Sequence, residues 1–304
     1  MGEFIQQFLV FAFLAGFGFL LVRRGSLSSE TTNEMSHILI FYFLPLLLFH
    51  SFLRPFDAQE AIALVKIMIF TISVQVIYIF LSRLLFGVEK PLDRFAVIFN
   101  NKAFVGVAIA GAFFGPRSIF YIAPSAVISN LFIILYGSRL LDKNAKPAIE
   151  AIKAIYKHPM FLSFFFGWVV YLSQIPIPTF ILKPISALVS INSTLAMIIL
   201  GAFIAQKPLS GLFKNKRVWL VAAVRLLLFP LVPILLFVLF PFGSWELRMV
   251  TIVAWSCPSA INLALQAKIY GYDTYYASQI IVVTSIGCAF TIPIIMWIAE
   301  QVIH

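Results

Sequence analysis

FNNKAFVGVAIAGAFFG (residues 99–115) carries two asparagines and a lysine into an otherwise apolar run. A second stretch, WSCPSAINLALQAKIYG (residues 255–271), aligns with it without gaps at a shift of 156 residues. Lys102 falls on Pro258, Gly106 on Asn262 and Gly115 on Gly271. A polar turn follows each, Pro116-Arg117-Ser118 and Tyr272-Asp273-Thr274. Identity is slight, but polarity, small residues and segment ends coincide. Interruptions of this kind are costly in hydrocarbon, because every freed backbone group needs a partner. Two of them at a fixed spacing point to an internal repeat.

The surroundings are hydrocarbon by composition. Of 304 residues 62% are hydrophobic and 11% charged, against about 45–50% apolar in soluble domains. A helix crosses the membrane with about 20 apolar residues. Ten such segments are legible: 4–22, 36–54, 61–82, 94–114, 118–138, 159–175, 178–205, 217–241, 247–269 and 274–299. The first lacks the basic start of a cleavable signal, and Arg23-Arg24 follow it, so it reads as a span. Cys257 and Cys288 lie in apolar segments and suggest no disulfide framework.

Net charge is +10, and its distribution is a topology signal. Fifteen of the 22 Lys and Arg residues follow odd-numbered segments; Arg54, Arg117, Lys183 and Arg248 stand on the opposite side. Short basic loops stay cytoplasmic. Both termini are therefore expected outside a cytoplasmic-membrane protein, and no nucleic-acid partner is expected. Lys66 and Arg225 lie about two turns inside segment ends and are expected to snorkel to the interface. Lys102 sits eight residues past Arg94, about 12 Å deep at 1.5 Å per residue. The twelve acidic residues lie in loops or at segment ends, so none is placed to pair with it. An intramembrane cation of this kind is a candidate functional site.

Five segments per half is an odd number, so the second half enters the membrane inverted. The expected fold is an all-α membrane protein of ten transmembrane helices in a five-plus-five inverted repeat, with discontinuous helices 4 and 9 crossing at mid-membrane. Pro258 breaks helix 9 by removing an N–H and clashing with the carbonyl four residues back; Ser256, Ser259 and Asn262 can supply partners. Helix 4 would break on Asn100, Asn101 and Gly106. Where the halves meet, helix N-termini favour an anion. Lys102 can offset the carbonyl ends, attract an anionic small-molecule substrate, or do both.

At these residues the chain resembles the auxin efflux carrier family, in its bacterial malonate and organic-acid permease branch, more distantly related to bile acid:sodium symporters. Asn101-Lys102-Ala103-Phe104-Val105-Gly106-Val107-Ala108 is similar to that family's Asn-x-Gly-Phe-x-Gly-x-Pro. Cys257-Pro258-Ser259-Ala260-Ile261-Asn262 and Tyr270-Gly271-Tyr272-Asp273 resemble its Pro-x-Ala-x-Asn run and Tyr-Gly-x-Asp turn. Leu44-Pro45, Lys157-His158-Pro159, Gly167 and Leu200-Gly201 also fit. The departures are Ala108 in place of a proline, Lys102 in place of a small residue, and Asn192-Ser193-Thr194 where helix 7 carries a proline. An ammonium group repels a neighbouring cation. Transport is therefore expected to be sodium-independent or proton-linked, with Lys102 the proton-coupling candidate, since a desolvated lysine can release and regain a proton.

The resemblance implies an elevator-type secondary transporter moving a small organic anion, a carboxylate by preference, and a homodimer in the lipid bilayer. Residues 1–141 would form the first repeat, 142–158 a cytoplasmic linker with an amphipathic helix, and 159–304 the second repeat. Helices 1, 2, 6 and 7 would be the scaffold, and helices 3–5 and 8–10 the transport domain. The substrate-site candidates are Asn100, Asn101, Lys102, Phe104, Gly106, Ser129, Asn130, Asn192, Ser193, Ser256, Cys257, Pro258, Ser259 and Asn262. Ser129 with Asn130, and Thr284 with Ser285, either face the crossover or bond between helices. His50 reads as a hydrogen-bonded structural residue near the outer interface. No intramembrane acid pair or His-Glu-x-x-His motif supports an enzyme, and neither cofactor nor metal is expected. A channel or membrane sensor on the same fold is the alternative.

Overall fold

A computed structural model of the protein describes residues 2–142, 153, 155–206 and 214–303. Among these residues there is helix and no strand. In chain order the first helices are α1 (Gly2–Arg23), α2 (Ser29–Ser51), α3 (Ala58–Phe86), α4 (Pro91–Ile98), α5 (Lys102–Phe114) and α6 (Arg117–Leu141). Then come α7 (Pro159–Ser173), α8 (Thr179–Ala205), α9 (Lys216–Leu239), α10 (Trp245–Trp255), α11 (Leu263–Ile269) and α12 (Thr274–Val302). Six of them, α2, α3, α6, α8, α9 and α12, are long and apolar enough to cross a membrane.

Local chemistry sets the ends. The side chains of Asp57, Asn215, Ser244 and Asp273 accept backbone N–H bonds at the starts of α3, α9, α10 and α12, replacing partners a first turn lacks. Pro91 and Pro159 open α4 and α7, where a missing N–H costs nothing. Gly115 and Gly271, the pair matched by the sequence shift, follow α5 and α11 at φ +74° and +73°, a conformation that glycine adopts without a Cβ penalty.

Small residues set the closest packing. A Cβ on Gly18 would strike the carbonyl of Ile198, and one on Gly201 the carbonyl of Ala15, so α1 and the second half of α8 lie backbone to backbone. The carboxyl-terminal half of α2 packs on α7 and α8; α3 packs on α4 and α6, and α10 on α5, α6 and α12. The outer surface is apolar, with Phe13 at 74% and Phe180 at 76% exposure. Such rings belong in lipid rather than water.

The structure departs from the sequence expectation in two places. Helix α2 begins at Ser29, because Ser28 caps a polar lead. Helix α8 bends at Ile191, and Asn192 starts its second half. The expected interruptions of the fourth and ninth spans are present: each is two short helices, broken between Ile98 and Lys102 and between Trp255 and Leu263. Most of the surface helix expected over 142–158, with Ile149 and Ile152, and the loop residues Lys143, Lys146 and Lys207 lie outside the described residues.

Candidate functional site

The two interruptions bond to each other. Phe99 is extended, at φ −102° and ψ 124°, and Asn100 forms an isolated antiparallel bridge with Ser259. The Asn101 N–H donates to the Pro258 carbonyl at 2.8 Å, and the Ala260 N–H to the Phe99 carbonyl at 3.0 Å. Side chains serve the carbonyls that the broken helices abandon. Pro258 cannot donate to the Ala254 carbonyl four residues back; Asn100 Nδ2 does so at 2.7 Å. Ser259 Oγ donates to the Ala96 carbonyl at 2.9 Å, the first one past the last internal bond of α4.

Two buried cations complete the junction. Arg225 is fully buried, which overturns its expected snorkelling. Its guanidinium donates to the carbonyls of Val97 (2.8 Å), Cys257 (3.1 Å) and Trp255. These carbonyls close the ends of α4 and α10, where the helix dipole is negative. That attraction, together with a planar fork that meets several acceptors at once, holds the charge inside rather than at the interface.

Lys102 is 1% exposed. Its Nζ donates to Ser125 Oγ on α6 at 3.1 Å and lies 3.0 Å from the ring centre of Trp255, a cation–π contact. Both cations stand on wide helical turns, Lys102–Gly106 and Val224–Leu228, a distortion frequent at functional sites.

The other candidate residues divide. Gly106 does not break the helix. It sits inside the resumed α5, and a Cβ there would lie 2.9 Å from Cys257 Sγ. Its smallness admits α10 instead. Ser256 Oγ and Cys257 Sγ donate within their own chain turn, to Ile252 (2.7 Å) and Val253 (3.3 Å). Asn100 Oδ1 and Asn262 Oδ1 are buried with no hydrogen bond among the described residues. Phe104 is buried in the apolar core.

Thr284 reaches the junction, accepting the Ser259 N–H at 3.3 Å, and Ser285 is buried. Ser129 Oγ donates to Gln75 Oε1 on α3 at 3.5 Å, and Asn130 Nδ2 to the Ala126 carbonyl at 3.0 Å and toward Met160 of α7. Asn192 is buried and Ser193 half-buried, at the start of the half of α8 that packs on Lys102–Gly106. His50 Nε2 bonds Ser186 Oγ at 3.0 Å, and Lys66 is exposed.

Sequence reasoning missed Arg225, Trp255 and Ser125. A signal for the first was present: Arg225 is eight residues past Arg217, the spacing that separates Lys102 from Arg94. Nothing in the chain order announces that Ser125 meets Lys102.

A family model described as membrane transport protein matches the chain over residues 4–155 and 145–296. The chain belongs to this family. It is the auxin efflux carrier family that the motifs resemble. No curated protein matches the chain. Membership and the long apolar helices make the protein a multi-pass integral membrane transporter. The junction of α4, α5, α10 and α11 buries polar side chains from both halves of the chain, among them Asn100, Lys102, Arg225 and Ser259.

Proposed function

We propose that this transporter is an elevator-type secondary carrier of a small organic anion, a carboxylate, across the cytoplasmic membrane, with sodium-independent or proton-linked coupling. The observation that carries the reading is Lys102, a buried ammonium group at the meeting of two broken helices, whose contacts are a hydroxyl and a ring rather than a carboxylate. A positive charge held this way is available to an anion. The carbonyl ends do not need it, because Arg225 already serves them. The N-termini of α5 and α11 lie beside the same junction and favour negative charge.

In this reading the chain is a five-plus-five inverted repeat with both termini outside. The aligned stretches and the shared positive φ of Gly115 and Gly271 support it. Helices α1, α2, α7 and α8 are the scaffold and carry the homodimer contact; α3–α6 and α9–α12 slide against them. The tight α1–α8 contact and the packing of α10 on α5, α6 and α12 fit that division.

A thermal-shift screen of the purified protein against mono- and dicarboxylates, with and without sodium and at several pH values, tests the site. At about 100 times its Kd a ligand stabilises by about 2.7 kcal/mol. At least one carboxylate is expected to shift the wild type without sodium, and Lys102→Gln to lose that shift. If no carboxylate distinguishes the two proteins, the site assignment fails. In liposomes, uptake that saturates and is accelerated by anion on the opposite face marks a carrier; conductance far above carrier turnover marks a channel.

A further inference from the structure

We propose that Arg225 is a built-in counter-cation: its guanidinium holds a carbonyl-lined position that would otherwise call for a free monovalent cation, and truncating it opens that position to such an ion. The geometry is that of a cation site. Three carbonyls, of Val97, Trp255 and Cys257, converge on one group and come from both broken helices. Unwound carbonyls and half-helix C-termini are what coordinate small cations inside transporters. The charge also balances. Each helix C-terminus carries roughly −0.5 of an elementary charge, so the ends of α4 and α10 together call for about one positive charge. Arg225 supplies one, fully buried, and its polar partners among the described residues are these carbonyls and the Tyr78 side chain rather than an acid. Tyr78 flanks it, the ring centre 5.6 Å from the guanidinium carbon, while its hydroxyl donates elsewhere, to the Phe229 carbonyl at 2.7 Å.

The two buried cations thus divide the work. Arg225 neutralises the negative ends and joins the halves, and Lys102 faces the substrate. The role of Lys102 rests on the carrier reading; that of Arg225 does not. Sodium independence then has a cause in the fold, since the fixed guanidinium fills the place of the ion.

The test is chemical rescue. Arg225→Ala is purified, and its melting temperature is followed with guanidinium, sodium or potassium chloride against choline chloride. At about 10 mM, guanidinium is expected to raise it by about 3 °C, with a smaller rise from sodium or potassium, and the wild type to move by less than about 1 °C. An alanine variant that responds to none of these ions overturns the proposal, and so does a sodium requirement in wild-type uptake.

If the alanine variant does not fold, Arg225→Lys and Arg225→Met decide. Lysine keeps the charge and loses the fork, so it is expected to melt between wild type and methionine. A lysine variant no better than methionine, or a methionine variant equal to wild type, overturns the proposal. Failure here with an intact carboxylate shift in the wild type removes the counter-cation and leaves the carrier. Rescue without any carboxylate shift does the reverse.

Discussion

The carbonyl of Ala254 loses its helical partner because Pro258 has no N–H, and Asn100 supplies the replacement from the other half of the chain. Leaving such a buried acceptor unpaired costs about 1–3 kcal/mol. Asn100→Ala is therefore expected to lower the melting temperature. Pro258→Ala returns an N–H to the neighbourhood of the orphan carbonyl, so the double variant should lose less than the two single variants summed. Additive losses in thermal melts would show that the two residues do not share that carbonyl. At this scale much was legible: the amides and the proline stand out in apolar surroundings. Arg225 was misread, because its depth in the helix was weighed without the carbonyl ends that hold it there.

The helices follow from hydrophobic runs and capping residues, and those local signals are legible in the sequence. How closely two of them approach was not. Gly201 and Gly18 look like ordinary membrane glycines, yet each faces a carbonyl of its neighbour, whereas Gly16 on the same helix as Gly18 has open space. Overpacking of this kind costs about 1–3 kcal/mol. Gly201→Ala should melt below wild type, and Gly16→Ala should not. Equal melting temperatures in the two variants would contradict the close α1–α8 contact. The wide turns at Lys102–Gly106 and Val224–Leu228 were also invisible in the sequence, since they depend on which groups the distorted turn meets.

Charged clusters stand at two of the places where helices begin. At the start of α3, Glu60 is buried between Arg54 (3.2 Å), Arg117 and Tyr121 (3.0 Å). At the start of α4, Asp93 is fully buried with Arg217 at 2.7 Å and Tyr276 at 2.8 Å. Beside the first cluster, the ring of Phe120 on α6 packs 5.1 Å from those of Phe52, which follows α2, and Tyr171 on α7. The sliding proposed above would break that contact. Cysteines at Phe120 and Tyr171, oxidised in the membrane, are expected to abolish anion uptake, and reduction to restore it. Full uptake by the cross-linked protein would rule out sliding at this surface.

By itself the sequence determined that the chain lives in lipid, how many apolar segments it has, and where two of them are interrupted. Hydrophobicity, proline chemistry and glycine geometry are local properties, and they act wherever the residue stands. Only the tertiary structure decided which groups answer the interruptions. Asn100 meets Ala254, Ser259 meets Ala96, and Arg225 meets three carbonyls, all between residues far apart along the chain. The reason is physical: hydrocarbon offers no water to satisfy a freed backbone group, so the partner must come from wherever the fold brings one within reach.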